Sequence, residues 1–430
     1  MTVLGDPPIT ATGVLAGLRP GQRADLRTHL AVHGALPLPA GRDDAWAAGV
    51  VGALERAGLS GRGGAGFPTA AKLRWLRDQG RRPVLAVNVM EGEPASRKDH
   101  VPATSVPHLV LDGAAVVARS LDAVRVYVCV PAEAEAAAVS LRRALDERAA
   151  AEADPVLAEL VRPPGHYVAG EESALSGWLD GAGSQPRFRP DRPAVNRVRG
   201  RPCLVHNAET LAQIGLLARA ARVGEVLADG TGRALSTLVT VSGAVDYGGV
   251  YEITLGTPLA SVLGMAGATE RPAGVLLGGY GGAWLSPEHL DVAYDAPSLR
   301  RVGASPGAGV VVVLPEGSCG LAETARIAMW MAGESAGQCG PCVFGLPALA
   351  EDLWLLATGS AQARDLDLLR SRLDEVDGRG ACRHPDGVVR LVRSALGVFD
   401  YDLRRHLAQG PCAGTRARTV LAFPRQSVPA

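Results

Sequence analysis

The apolar residues of AWAAGVVGALERA fall on one helical face, and the run stops at Gly58, which predicts an amphipathic helix. A shorter helix is expected within RADLRTHLAVHG, inside an otherwise Pro- and Gly-punctuated stretch. PVLAVN, ending at Asn88, is a compact apolar run that reads as a buried strand. AVRVYVCV alternates valines at 124, 126, 128 and 130 and reads as a second strand. The Ala/Leu/Arg-rich residues 132–151 that follow read as a helix, completing a βα unit. Strands alternating with helices predict a mainly parallel α/β domain to about residue 225.

The texture then changes. LVTVSGAVDYGGVYEITLGTPLASVLGMAG reads as strand, turn, strand and short helix, and GVLLGGYGGAWL adds a strand and a Gly-rich turn. Together they suggest a small β-grasp, ubiquitin-like module. Beyond it the periodicity is helical: Ile327, Trp330 and Met331 share a face, as do Leu346, Leu349, Leu353 and Leu356, then Leu366, Leu369 and Leu373. The expected organisation is an N-terminal extension (1–45), an α/β domain (46–228), the β-grasp module (235–305) and a C-terminal helical bundle (316–430). No internal repeat is visible.

Composition narrows the function classes. The 430 residues carry 44 basic and 44 acidic side chains, so no global field favours nucleic acid or an anionic surface. Seven cysteines are too sparse for a disulfide scaffold, the N-terminus lacks a signal pattern, and no run approaches eighteen apolar residues. A cytoplasmic protein without direct membrane insertion is the expectation. Of the 44 basic residues only Lys72 and Lys98 are lysines, and the asparagines are Asn88, Asn196 and Asn207. A lysine that persists against such bias suggests a role for a compact ammonium rather than a planar fork.

Both lysines fall in motifs. GRGGAG (61–66) satisfies G-x-G-x-x-G but follows a helix, not the strand of a dinucleotide fingerprint. Its glycines let backbone N–H groups approach a phosphate, with Arg62 and Lys72 as cationic partners; a plain surface turn is the alternative. Phe67 and Trp75 could flank an adenine or be core aromatics. NVMEGEPASRKDH (88–100) begins where a strand ends, which is where α/β folds bind ligands. Here Asn88 could meet a ring or ribityl group, and Glu91 and Glu93 sugar hydroxyls. GHYVAGEESAL (165–175) carries Glu171 and Glu172, and CLVHNAETL (203–211) brings His206, Asn207 and Thr210.

In this order the motifs resemble the NADH-binding flavoprotein subunit of respiratory complex I and related NADH dehydrogenase modules, over residues from about 45 to 400. The resemblance implies an α/β domain for FMN and NAD(H), a β-grasp domain and a helical domain holding a [4Fe–4S] cluster. The implied activity is an NADH:acceptor oxidoreductase. By the same resemblance Gly61, Arg62, Gly63, Gly64 and Lys72 hold FMN phosphate. Asn88, Glu91, Tyr167, Gly170, Glu171, Glu172, His206, Asn207 and Thr210 surround the rest of FMN. Gly64, Ala65, Gly66, Phe67, Lys72, Trp75 and Glu93 border NADH, and Glu93 and Glu172 are the candidate catalytic carboxylates. A ferredoxin-like or thioredoxin-like-fold electron-transfer protein is the implied partner, in a hetero-oligomer. Three positions depart from the family: Met90 where Asp is usual, Arg97 for an aromatic, and His206 for the first Asn of a pair.

The sharpest departure is in ESAGQCGPCVFG (334–345). The family's motif supplies three thiolates and a distant cysteine the fourth; Cys339, Cys342 and Cys382 match, whereas Ala336 offers no ligand atom. The readings are a cluster with water, Glu334 or Ser335 on its fourth iron, a [3Fe–4S] form, recruitment of Cys319 or Cys412, or no cluster. Cys339, Cys342, Cys382 and His384 as a zinc site, or Cys339 and Cys342 as a redox dithiol, are rivals. An FMN-only NADH dehydrogenase and a non-catalytic scaffold are the alternatives at the level of function.

Overall fold

Ten strands form two five-stranded sheets in this computed structural model, which describes residues 13–18, 21–64, 66–188, 196–222, 236–268, 271–359 and 361–424. The first sheet comprises β1 (Val84–Asn88), β2 (Arg125–Cys129), β3 (Ala158–Val161), β4 (Arg197–Val198) and β5 (Arg201–Asn207), in the order β3-β2-β1-β5-β4. All are parallel except the edge strand β4, which pairs antiparallel to β5. Central parallel strands are covered on both faces, which explains why VLAVN is apolar throughout. Leu85, Val87, Val126 and Val128 enter the main core; Val84, Ala86, Tyr127 and Cys129 point to a smaller one on the opposite face.

Helices Pro107–Ser120 and Ala208–Arg222 cross over the first face. Gly113 makes that crossing close, since a Cβ there would lie 1.8 Å from the Leu211 carbonyl oxygen. The turn Tyr167–Gly170 and the helix Glu172–Leu179 cover the other face through Ala169 and Leu175. The described residues of the N-terminal extension pack onto the domain: Val14 is fully buried in the main core, and His29, in the helix Leu26–His33, bonds buried Asp112 at 2.7 Å.

The second sheet comprises β6 (Ser236–Gly243), β7 (Gly249–Thr254), β8 (Gly274–Leu277), β9 (Ala283–Leu285) and β10 (Val310–Leu314), ordered β7-β6-β10-β8-β9. β10 is central, parallel to β6 and antiparallel to β8, so this unit extends past the boundary expected at residue 305. The boundaries expected at 228 and 235 lie in residues 223–235, outside the described residues. One face of the sheet packs on the helix Leu259–Met265 through Val239, Val241, Leu259, Val262, Val311 and Val313. Val310, Val312 and Leu314 turn the other way, onto the C-terminal helices.

Those helices are Gly320–Gly333, Leu346–Thr358, Ala363–Val376, His384–Val398 and Asp400–Gln409. All three leucine and Ile/Trp/Met faces read from the sequence are buried in one shared core. The continuous helical stretch Pro341–Thr358 is long and apolar enough to cross a membrane, contrary to the expectation from the sequence. Its Leu346, Leu349, Leu353 and Leu356 are buried against neighbouring helices, the position of a core helix.

Candidate functional site

The strand order of the first sheet reverses at β1 and β5, because β1 is followed by β2 on one side and has β5 on the other. Open α/β sheets bind ligands at the carboxyl ends of strands at such a switch point. Asn88 and Asn207, the last residues of β1 and β5, are register partners there. Asn88 donates to the Gly170 carbonyl at 2.9 Å and accepts from the Met90 N–H at 3.0 Å, joining the 88–92 loop to the Tyr167–Gly170 turn. Their approach is tight: a Cβ on Gly170 would lie 2.4 Å from the Met90 carbonyl oxygen.

Asn207 closes the other side. Its side-chain Oδ1 accepts from the Thr210 N–H and hydroxyl, and the Thr210 hydroxyl accepts from the Arg62 N–H at 2.9 Å. This fixes one end of the glycine loop, in which Gly64 and Gly66 have φ of 90° and 62°, a region that suits glycine. The Arg62 Nε and the His206 Nε2 are buried without a hydrogen-bond partner among the described residues. Burial and the Lys72 charge hold the His206 imidazole well below its usual range, so it is neutral. The Arg62 Nε faces the Glu209 carboxylate at 3.8 Å. A glycine loop, a lysine, an arginine and a buried imidazole nitrogen with no hydrogen-bond partner at a switch point fit a phosphate-bearing flavin.

Lys72 reaches across the cleft, donating to Glu172 at 2.5 Å and to the Val205 carbonyl at 2.9 Å. Asn196, which no motif reading picked out, donates to the other Glu172 oxygen at 3.4 Å. Its rarity in this chain was the only signal for it. Glu171 instead caps its helix, accepting from the Ser173 and Ala174 N–H groups. The tandem carboxylates thus have different tasks.

Glu93 is 7% exposed and sits against the second sheet's Gly-rich turn. It accepts from the Tyr280 N–H at 2.8 Å and the Tyr167 hydroxyl at 3.4 Å, and a Cβ on Gly279 would lie 2.4 Å from its Oε2. Burial pushes its carboxyl up to about 7. Glu91 is oriented inward: its two oxygens accept from Ser96 and from the Asp99 and His100 N–H groups, which ties down the start of helix His100–Ser105. Beneath the site Lys98 bonds Asp99 at 2.5 Å and faces Glu209 at 3.5 Å, and Asp99 accepts from Asn207 at 3.2 Å. Asp99, Glu209 and Tyr280 went unselected in the sequence because their role is visible only once three segments meet.

Phe67 is 51% exposed and free to stack on a ligand, whereas Trp75 packs its ring partly against the main core. Ala65 lies outside the described residues.

The thiols lie close by. Cys339 and Cys342 share one turn, the Cys342 N–H donating to the Cys339 carbonyl at 3.1 Å, with Cys342 inside the π-helical turn Pro341–Gly345. Burial, then the neighbouring Cys339 and Cys382 thiols, push Cys342 up to about 12. Cys382 is raised by burial and by Glu171 among its neighbours, which brings this group beside the tandem carboxylates. Glu334 accepts from the Tyr167 N–H at 3.1 Å, and Gln338 bonds the Pro186 carbonyl, docking this loop on the α/β domain. Cys339 and Cys342 on one turn, with the Cys382 thiol among their electrostatic neighbours, are the donor type an iron–sulfur cluster takes, and residue 336 supplies no fourth ligand. Cys319 is not that ligand: it caps the start of helix Gly320–Gly333, whose fourteen residues span about 21 Å at 1.5 Å each, and Ala336 follows the opposite end.

Residues 54–216 match the family described as the Nuo51 FMN-binding domain, and residues 322–406 the NADH-ubiquinone oxidoreductase-F iron-sulfur binding region. The chain is 31% identical to the F subunit of NADH-quinone oxidoreductase from Mycobacterium bovis, over 91% of this chain and 90% of that protein. It is 30% identical to the Escherichia coli counterpart, over 84% of each. Among solved structures, the NAD+-reducing [NiFe]-hydrogenase in the H2-reduced state superposes with a TM-score of 0.77 at 29% identity, covering 90% of this chain and 67% of that one. With both halves of the site in one chain, and this identity over nine-tenths of its length, the protein belongs to the family of NADH-quinone oxidoreductase F subunits.

Proposed function

We propose that this chain is the electron-input module of a larger assembly, an FMN-dependent NADH dehydrogenase that delivers electrons through an iron–sulfur cluster. The observation that carries this reading is the pairing of Asn88 with Asn207 at the switch point, flanked by the glycine loop and the Lys72–Glu172 pair. When bound, FMN takes a hydride from NADH and gives up electrons singly, which the cluster carries onward. The protein's part is to bind, orient and exclude water. The loop Gly61–Gly66 and Arg62 hold the FMN phosphate, with Lys72 screening its charge. Asn88, Asn207 and Thr210 orient the flavin, and Tyr167, Gly170 and Glu172 wall its edge. Glu91 acts as a positioning residue for the 88–100 loop, and Glu171 for the helix that follows it. Phe67 offers its exposed face to the adenine, with Trp75 behind it, and Glu93 accepts a hydrogen bond from the nicotinamide carboxamide.

The second sheet's order, a parallel central pair flanked by two antiparallel arms, with the helices Leu259–Met265 and Ala296–Arg301 among its described residues, supports the β-grasp reading, now with a boundary after β10. The helices after it support a cluster-bearing bundle from residue 320 onward. Relatives named as subunits support a hetero-oligomer. A ferredoxin-like or thioredoxin-like-fold partner on the cytoplasmic side, receiving electrons near Cys339, completes the proposal.

Cys339, Cys342 and Cys382 would hold the cluster, and solvent or Glu334 would stand in for the ligand that Ala336 does not supply. The flavin-only alternative is favoured by one observation, Ala336 itself. Iron and acid-labile sulfide, counted per chain on anaerobically purified protein, separate the two. The three-thiolate cluster predicts about three to four irons with matching sulfide, rising to a stable four in Ala336→Cys. Iron absent from the wild type and from Ala336→Cys, with flavin retained, leaves only the flavin-only enzyme.

A further inference from the structure

At the end of helix Gly320–Gly333 remote from the candidate cluster, three side chains from three segments converge. The ligand atoms of Cys319, His406 and Cys412 all lie within 4.8 Å of one another, two of the residues being buried and Cys412 partly so. The Cys319 Sγ is 3.9 Å from the His406 Nε2. On the other side of the ring, His406 Nδ1 lies 3.0 Å from the Leu356 carbonyl oxygen. A carbonyl only accepts, so Nδ1 carries the proton and Nε2 is the acceptor nitrogen, with the Cys319 sulfur nearby. A backbone carbonyl fixing the far nitrogen is the usual support of a metal-bound histidine.

We propose that Cys319, His406 and Cys412 bind one thiophilic divalent cation, Zn2+, at a site separate from the flavin and the cluster. Two thiolates and an imidazole are the donor set that zinc prefers over magnesium or calcium. Binding releases two protons, one from each thiol, and the two thiolates neutralise the cation. His406 Nε2 now accepts from the Cys412 N–H at 3.0 Å, so that contact is exchanged for the metal bond. The Thr415 hydroxyl, 3.7 Å from the Cys412 Sγ, lies beside the fourth position, which solvent completes.

The site would act as a clasp. Cys412 begins the segment that runs back along helix Gly320–Gly333, where Arg326 donates to the Thr415 carbonyl and Thr419 bonds Glu323 at 2.5 Å. Further on, the Tyr280 hydroxyl donates to the Ala422 carbonyl at 2.6 Å, and the same Tyr280 gives its N–H to Glu93. Closure is already tight at the clasp, where a Cβ on Gly414 would lie 2.3 Å from the Gly317 carbonyl oxygen.

The test is metal content of the full chain, purified, stripped with chelator and titrated with Zn2+ alone. About one zinc per chain is expected for the wild type and for Cys339→Ser/Cys342→Ser, and less than about a tenth for Cys319→Ser/Cys412→Ser. Serine at 319 preserves the helix cap that the Cys319 sulfur now provides to the Ala322 N–H at 3.4 Å. Should the double variant not fold, Co2+ titration of wild type against Cys412→Ser alone decides, through the intensity of the thiolate-to-cobalt band. Zinc that follows Cys339 and Cys342 instead overturns the proposal. So does a wild type that takes up no zinc, or a Cys319–Cys412 disulfide in its place.

Discussion

Lys98→Met is expected to lower the unfolding free energy by about 3–5 kcal/mol, the cost of stripping one partner from a buried ionic group. Lys98 is 3% exposed, and its ammonium answers both Asp99 at 2.5 Å and Glu209 at 3.5 Å. Methionine keeps the stem and its volume, so the loss isolates the charge. Arginine should not rescue it, because the stem is wedged against Gly309, where a Cβ would lie 2.8 Å from the Lys98 Cδ. That contact gives a reason for lysine at this position in a chain whose other basic residues, Lys72 apart, are arginines. Asp99 also holds the Asn207 amide and the Glu209 N–H. Weaker FMN retention should therefore accompany the lost stability. Urea unfolding followed by tryptophan fluorescence reads the first effect, and flavin per chain after gel filtration the second. A change below about 1 kcal/mol would mean that Asp99 and Glu209 are solvated, not held by Lys98.

Glu93→Gln separates stability from function. Burial raises the Glu93 carboxyl from 4.5 in the unfolded chain to about 7 in the folded one. The folded state therefore binds more protons than the unfolded between those values, and stability falls as pH rises from 4.5 toward 7. Above pH 7 the ionised group costs about 3 kcal/mol at most, taking 1.36 kcal/mol per pKa unit. Glutamine removes that cost while its carbonyl still accepts from the Tyr280 N–H, so the variant should be at least as stable as wild type at pH 8. Yet kcat/KM for NADH should drop about 10–100-fold, the worth of one charged hydrogen bond. In the wild type kcat/KM should rise as pH passes 7, and in Glu93→Gln that rise should vanish. A variant with wild-type kcat/KM, or one that keeps the rise, would remove Glu93 from nicotinamide positioning.

The α/β half was readable because its strands are unambiguous: VLAVN and RVYVC are short, apolar and bounded by turns, and each is a strand at the expected place. Asn88 was readable as a strand end, but that Asn207 ends a strand too, and that the two are neighbours, was not, since adjacency across β1 and β5 depends on the crossover order. The boundary at 305 fell short because β10 returns to the sheet centre after a helix and a loop, a pairing no local pattern encodes. Lys98 stood out by rarity, whereas its partners Asp99 and Glu209 look like ordinary surface acids until Glu209 is found fully buried. Tyr280 lay in a turn read only as Gly-rich. Ala336 was plain from the sequence, but the helix separating it from Cys319 had to be seen to remove that cysteine as a replacement.

The proposed function requires that this chain oxidise NADH with a flavin held between β1 and β5. Anaerobic titration of the FMN-loaded protein with NADH, followed by the flavin's visible absorbance, tests it most directly. Bleaching complete near one NADH per flavin, and lost in Asn88→Ala/Asn207→Ala because no flavin is held, is the predicted result. Bound FMN that stays oxidised in excess NADH would mean that the flavin held here does not take electrons from NADH.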